Sequence, residues 1–478
     1  MSYKRNLTML TDFYEITMAN GYFETGMDDT IAYFDVFFRR IPDGGGYAIM
    51  AGLEQVIDYL KELSFSEDDI EYLRGKNAFS EKFLEYLANF EFKCDVWAVP
   101  EGTPIFPGEP ILTVRGPVIQ AQFIETMILL IINHQSLIAT KASRIVREAG
   151  GRPVMEFGTR RAHGNSAAIY GARAAYIGGC AGTACAIADI DMGIPALGTM
   201  AHSWVQMFDS EYDAFKAYAE IYPDNCTLLV DTYNVLKSGV PAAIKVFDEV
   251  KPAKKGIRID SGDIAYLTKK ARAMLDEAGH EDCAIVVSNS LDEYLIRDIL
   301  HEGACIDSFG VGERLITAKT EPVFGGVYKL SAIEKDGNLI PKIKVSENVE
   351  KITNPGFKSL FRLFDKDTDE PLADLITLDG ETIPEDGEYE IFDPKATWKK
   401  KTVSNFYAVN LRKPIFIDGK CVYNSPSIDE IRTYCRKEMD AMWAEMKRLE
   451  NPQTYYVDLS YELWKLKNDM LGNKTDNR

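Results

Sequence analysis

The chain has 478 residues, 46% of them hydrophobic, with 54 basic against 73 acidic side chains for a net charge of −19. That length suits two or three domains and a large core. So acidic a composition argues against broad electrostatic binding of nucleic acid or an anionic membrane, and leaves small anionic substrates to local cations. The purely apolar runs are short, as at residues 127–132, which predicts no membrane-spanning helix. No signal-type apolar core follows the first residues, so the expected location is the cytoplasm. The eight cysteines include no CxxC pair and read as reduced small hydrophobes rather than zinc ligands.

In chain order, Asp12 and Glu15 suit a helix N-terminus and predict a helix running toward Gly21. Residues 31–38 are β-branched and aromatic and predict a strand. Residues 94–117 place Pro and Gly between short β runs, an antiparallel pattern, and 118–150 read as helical. A repeating pattern then begins. Six apolar runs each break into polar residues. Residues 153–158 lead into Thr159–Gly164, 196–198 into Thr199–Ser203, and 227–230 into Asp231–Asn234. Residues 255–259 lead into Asp260–Asp263, 284–287 into Ser288–Ser290, and 306–309 into Gly310–Arg314. Helical stretches are predicted at 204–222, 235–250, 264–277 and 291–302. Such alternation predicts βαβ units and a parallel sheet. Consecutive units that all end polar suit a (β/α) barrel, whose loops converge on one face; an open doubly wound sheet is the alternative. Beyond Gly325 the pattern changes to strands at 357–363, 388–392 and 406–409. A hairpin turns at Asp418-Gly419, a long helix covers 427–449, and a polar tail after Leu471 is expected to fray.

The strand-end residues carry the chemistry. Arg258, Asp260, Ser261 and Asp263 offer one fixed cation, two carboxylates and a hydroxyl, and Gly262 admits close backbone approach. That set suits a sugar phosphate, a metal, or both. Arg160 and Arg258 are candidates for carboxylate or phosphate binding, against the plain alternative of ion pairs. Asp231, Asp260 and Asp263 suit ribose hydroxyls and magnesium, against the alternative of helix N-capping. Ser288, Asn289, Gly310 and Gly312 lie at the last two strand ends, where barrels often hold a phosphate. His202 is a competent phosphoryl acceptor when neutral, or else a cap for the next helix. His163 reads as an orienting or phosphate-binding residue, and His134, His280 and His301 as structural. No GxxxxGK[ST] loop is present, so ATP is not held as in P-loop enzymes.

Several blocks together resemble the nicotinate phosphoribosyltransferase family. They are Leu10-Thr11-Asp12-Phe13-Tyr14, Glu156-Phe157-Gly158-Thr159-Arg160-Arg161, Gly198-Thr199-Met200-Ala201-His202-Ser203, Asp231-Thr232-Tyr233 and Arg258-Ile259-Asp260-Ser261-Gly262-Asp263. Ser288-Asn289, Gly310-Val311-Gly312 and Gly326-Val327-Tyr328-Lys329-Leu330 continue the match, which runs in order from about residue 6 to about 360. The resemblance implies an α/β fold: an irregular (β/α) barrel joined to an α+β sandwich-like domain built from N- and C-terminal segments. The expected boundaries are 1–130, 131–335 for the barrel, and 336–478. It implies transfer of phosphoribosyl from phosphoribosyl pyrophosphate to nicotinate, giving nicotinate mononucleotide in NAD biosynthesis. ATP would be a co-substrate acting through phosphohistidine at His202, with Mg2+ as cofactor on Asp260 and Asp263. Nicotinate would meet Tyr14, Phe157, Arg160, Thr199 and Arg258. The sugar phosphate would meet His163, Asp231, Asp260, Ser261, Gly262, Asp263, Ser288, Asn289, Gly310, Gly312 and Glu313. A homodimer is implied, with Tyr14 reaching the partner's site. Glu313 departs from the small hydroxyl residue frequent there, which puts phosphate contact by its side chain in doubt. The rival readings are nicotinamide or quinolinate transfer on the same fold, or an unrelated barrel lyase or isomerase such as an aldolase, which strand-end lysines would favour and which are scarce here.

Overall fold

The computed structural model describes residues 6–475. Contacts divide the chain into two compact units, one of Met1–Ser136 with Val323–Arg478 and one of Leu137–Pro322.

In the first unit, the β-branched and aromatic Ile31–Phe37 strand lies inside a seven-stranded sheet, antiparallel to Val327–Lys335 on one side and Leu112–Pro117 on the other. Asp95–Ala98 and Lys413–Ile417 extend it. The hairpin to Lys420–Cys421 turns at Asp418 (φ 52°) and Gly419 (φ 71°), both left-handed as a tight hairpin requires. A four-stranded sheet holds Phe406–Asn410, Lys358–Asp365, Pro371–Leu378 and Val457–Leu459. Side chains tie the two sheets together. Lys358 pairs with Asp35 at 2.8 Å, Arg412 donates to Thr113, and Phe357 packs against Tyr33 and Trp97. Arg362, fully buried, makes a two-pronged ion pair with Asp374 at 2.8 and 2.7 Å and also donates to the Pro104 carbonyl.

Two expectations fail here. The 427–449 helix ends at Ala441. Met442 turns extended, the Trp443 indole donates to the Pro371 carbonyl at 2.7 Å, and Lys447 donates to the last-turn carbonyl of Met439. The tail is helical from Tyr461 to Thr475; residues 476–478 lie outside the described residues. Val118–Glu148 is also long and apolar enough, by length and composition, to cross a membrane. Reading only uninterrupted apolar runs hid this. With 67% of its apolar window buried, it has the character of a core helix.

The second unit is an irregular barrel. Its six parallel strands run in the order Gly182–Thr183, Val154–Glu156, Ser308–Val311, Ala284–Ser288, Lys255–Ile259, Cys226–Leu229. Helices follow the strands as the alternation predicts. The expected strand at 196–198 is only a single bridge from Ala196 to Thr183. The strand in the sheet is Gly182–Thr183, against which Leu197 and the Pro195 carbonyl hydrogen-bond. The strand expected at 306–309 falls later, at Ser308–Val311, because Asp307 turns its carboxylate to the Ile285 amide of the neighbouring strand. The 204–222 helix is cut in two: Ser210 caps a new start at Glu211–Ile221 and leaves the short His202–Gln206 before it. A π-turn over Val235–Gly239 precedes the Val240–Val250 helix. Asn165–Ile177 and Ala186–Met192 are helices that the sequence reading did not include.

Candidate active site

The strand ends of the barrel gather the polar residues on one face. His202 opens its short helix, so the ring stands at the end of the 195–201 segment. Its Nδ1 lies 3.2 Å from the Thr232 hydroxyl and its Nε2 lies 3.9 Å from Asp260 Oδ2. Asp260 accepts a short hydrogen bond from the Ser288 hydroxyl through its other oxygen. Asp231 accepts from the Asp260 amide at 2.9 Å and from the Ser261 hydroxyl at 2.6 Å. The second oxygen of Asp231 is buried and has no partner among the described residues, and a buried acceptor left so is costly until something donates to it or ligates it. Three strand ends and the 195–201 segment thus bring His202, Asp231 and Asp260 to one face.

Arg258 forms the adjacent cluster. Alternation along Lys255–Ile259 buries Ile257 and Ile259 and turns Arg258 to the opposite side. Its guanidinium donates to the Thr199 hydroxyl and, at 2.9 Å, to the Met200 carbonyl. Its Nε is buried without a partner among the described residues. Burial lowers the pKa of Arg258, opposed by Asp260 and Asp231 and reinforced by the like charge of Arg160. A guanidinium stays charged at neutral pH regardless. Two arginines near each other, one with a vacant buried donor, attract an anion. Arg160 is exposed and makes no hydrogen bond or ion pair among the described residues.

Phe157 bounds the site on the other side. Its amide donates to the Val311 carbonyl at 2.8 Å, and its ring lies where a Cβ on Gly310 would come within 2.5 Å. The glycine at 310 is therefore required by the ring. Gly312 is similarly close to the Phe157 carbonyl, with 3.1 Å to an added Cβ. Glu156, fully buried, accepts from the Thr183 hydroxyl at 2.6 Å and from the Gly158 amide. Burial pushes its carboxyl up, and these two hydrogen bonds hold it down.

Other expected residues stand apart. Asp263 caps the Ile264–Glu277 helix, accepting from Tyr266 at 2.9 Å. Gly262 is left-handed at φ 82°. Asn289 (φ 99°) and Ser290 (φ 46°) are successive left-handed non-glycine residues at a strand end, a local strain of the kind that clusters at functional sites. His163 is exposed in the loop before the Asn165–Ile177 helix. Glu313 points its charge at Lys319, 2.7 Å away. Tyr14 belongs to the other unit, on the Phe13–Glu24 helix, and is 46% exposed. Partial burial, then Glu125 nearby, raises its hydroxyl pKa. The sequence reading missed Thr232 and Glu156. Both lay inside quoted motifs, but nothing in spacing says that Thr232 meets His202 or that Glu156 turns inward.

Comparison with known proteins accords with this arrangement. The nicotinate phosphoribosyltransferase N-terminal domain model matches residues 9–133, the family model 153–363, and the C-terminal domain model 357–467. The chain is 44% identical over 461 residues to the Bacillus subtilis nicotinate phosphoribosyltransferase, covering 96% of this chain and 94% of that one. It is 41% identical over 446 residues to a nicotinate phosphoribosyltransferase of Mycobacterium tuberculosis, covering 93% and 89%. The crystal structure of human nicotinic acid phosphoribosyltransferase superposes with a TM-score of 0.83 at 29% identity, covering 97% of this chain and all of that one. With all three family models matched in order and near-full-length relatives above 40% identity, the chain belongs to the nicotinate phosphoribosyltransferase family of enzymes.

Proposed function

We propose that this enzyme transfers phosphoribosyl from phosphoribosyl pyrophosphate to nicotinate, releasing nicotinate mononucleotide and pyrophosphate in NAD biosynthesis, and couples this to ATP hydrolysis through a phosphate on His202. The observation that carries the reading is the His202 ring, held by Thr232 at 3.2 Å on Nδ1 with Nε2 beyond hydrogen-bond reach of Asp260 at 3.9 Å. If Nδ1–H donates to the threonine hydroxyl, Nε2 keeps its lone pair and faces the open site. Nε2 then attacks the γ-phosphorus of ATP; the bond to the bridging oxygen breaks and ADP leaves. Water later cleaves the phosphohistidine.

Arg258, with Thr199 orienting it, takes the nicotinate carboxylate, while Phe157 and Arg160 flank the ring. Asp231 and Ser261 face the ribose, and His163, Gly262, Ser288, Asn289, Gly310 and Gly312 the phosphates. Among the described residues, no three His, Cys, Asp or Glu side chains converge as a metal cage. The donor set still fits magnesium in its usual mode, one or two carboxylates sharing the ion with substrate phosphates. Asp260 and the unpartnered oxygen of Asp231 suit it, and Asp263, which caps its helix through one oxygen, can offer the other. The ion would neutralise phosphate charge beside Asp260. Tyr14 carries the dimer reading: it lies on a helix with Phe13 and Met18 also exposed, at 46% and 37%, an apolar face suited to a second copy whose site Tyr14 completes.

Incubation with labelled ATP, phosphoribosyl pyrophosphate and a panel of pyridines tests the proposal. Nicotinate mononucleotide formed in preference to the nicotinamide product, with acid-labile phosphate on His202, supports it. Equal turnover of nicotinamide, or label elsewhere, overturns it.

A further inference from the structure

The unit formed by Met1–Ser136 and Val323–Arg478 carries a partly open cavity of about 1090 Å³. Its wall carries eight lysines and arginines against four acids. In a chain of net charge −19 that is a local reversal of sign. Part of the excess is compensated within the wall: Lys358 pairs with Asp35 at 2.8 Å. Lys467, half-buried on the Tyr461–Thr475 helix, has among the described residues only a neutral side-chain partner, the Asn354 oxygen at 2.7 Å. Lys358 donates to the Asn354 carbonyl at 3.0 Å, so two ammonium groups converge on one asparagine. Lys395 adds a third charge; its backbone amide donates to Asp393 at 2.8 Å, while its ammonium makes no hydrogen bond or ion pair among the described residues. Burial, then Lys395 and Lys358, pull the Lys467 amine down to about 8. Like charges held together in a half-buried wall are relieved by loss of a proton or by an anion that joins them. Trp464, one turn before Lys467, lines the same cavity. It is fixed edge-on by Phe392 at 5.9 Å and stacked on Tyr461 at 6.1 Å, and so presents an aromatic surface beside the cations.

We propose that this cavity is a nucleotide-binding site separate from the barrel face, with phosphates held by Lys467 and Lys395 and the planar base against Trp464. A guest of this kind joins the charge that the wall lacks to the flat surface that the wall supplies. Lysines whose amine is partly free near neutral pH form imines readily, and pyridoxal 5′-phosphate couples an aldehyde to a phosphate. The full-length protein is treated with pyridoxal 5′-phosphate, the imine is reduced with borohydride, and labelled peptides are mapped by mass spectrometry. The label is expected on Lys467 or Lys395. ADP should protect at concentrations about tenfold below those needed of inorganic pyrophosphate or adenosine, the effect of about 1.4 kcal/mol from base and phosphate acting together. Lys467→Arg, which keeps the charge, removes label at that position. Arg258→Ala keeps both label and protection if the cavity is independent of the barrel. Label scattered over surface lysines without protection overturns the site. Protection by pyrophosphate as effective as by ADP overturns the nucleotide assignment, and loss of protection in Arg258→Ala overturns its separateness.

Discussion

Replacing Arg258 by alanine removes a guanidinium that makes two hydrogen bonds to the 199–200 segment and keeps one buried donor vacant. If that donor and a neighbouring N–H hold the nicotinate carboxylate, the loss is that of a charge-assisted pair, about 1.5–3 kcal/mol. At about 1.4 kcal/mol per decade, kcat/KM for nicotinate should fall roughly 10- to 150-fold. The KM values for phosphoribosyl pyrophosphate and ATP should move little. Preference for nicotinate over nicotinamide should collapse by the same factor, because the variant no longer reads charge. Steady-state kinetics with each substrate varied in turn, alongside a urea unfolding curve to establish that the variant is folded, make the comparison. A sugar-donor KM that rises more than that of nicotinate, or a preserved preference between the two bases, would refute the assignment and place Arg258 on a phosphate instead.

His202→Asn should abolish acid-labile, base-stable phosphate incorporation from labelled ATP while retaining slow, ATP-independent transfer; normal labelling would exclude this residue. Gly310→Ala drives a methyl into the Phe157 ring, where the added carbon would lie 2.5 Å away. It should lower stability by about 1–3 kcal/mol and raise the KM for nicotinate, and unchanged binding would remove Phe157 from the site. Glu15, fully buried and accepting from Thr126 at 2.7 Å, is raised by burial to about 7. Its folded pKa lies above its unfolded value near 4.3, so its contribution is fully present below about pH 4 and lost as pH rises through 7. Glu15→Gln should therefore gain about 1–3 kcal/mol on the parent between pH 4.5 and 8, read from urea midpoints; a pH-independent difference would disprove the shift. Mixing a Tyr14→Ala chain with a His202→Ala chain should restore part of the activity if sites are shared, and verified mixed dimers without rescue would show that they are not.

The parallel sheet was readable because its buried strands are short apolar runs that stop at polar residues, as at Ile259-Asp260 and Val287-Ser288. Gly182–Thr183 escaped because two small residues carry no periodicity, and their membership of the sheet is set by partners distant in sequence. The Asn165–Ile177 helix escaped because its Ala- and Gly-rich run has no polar face to mark a period; Ala168, Ala172, Ala174 and Ala175 are all buried. Within the site, residue types at strand ends were legible and pairings were not. Thr232 and His202 are thirty positions apart and meet only because the end of the Cys226–Leu229 strand and the 195–201 segment reach one face. Asp263, which has the composition of a ligand, caps a helix.

The seams of the first unit set the order in which it forms during synthesis. The Ile31–Phe37 strand needs Val327–Lys335, Asp95–Ala98 needs Lys413–Ile417, and the Pro104 carbonyl needs Arg362. All of Leu137–Pro322 leaves the ribosome between these partners. At about 5–20 residues per second the N-terminal strands wait roughly 15–60 s with an unpaired edge. During that interval the nascent chain presents Ile31–Phe37 as an open template for any other strand, the condition under which chains pair with the wrong neighbour. The same split makes the last residues to emerge, among them Arg362, Asp374 and Tyr455, the ones that close the oldest part of the molecule. A truncated translation product therefore leaves its first-made strands open, and a chaperone that holds the N-terminal segment acts on the step most exposed to loss.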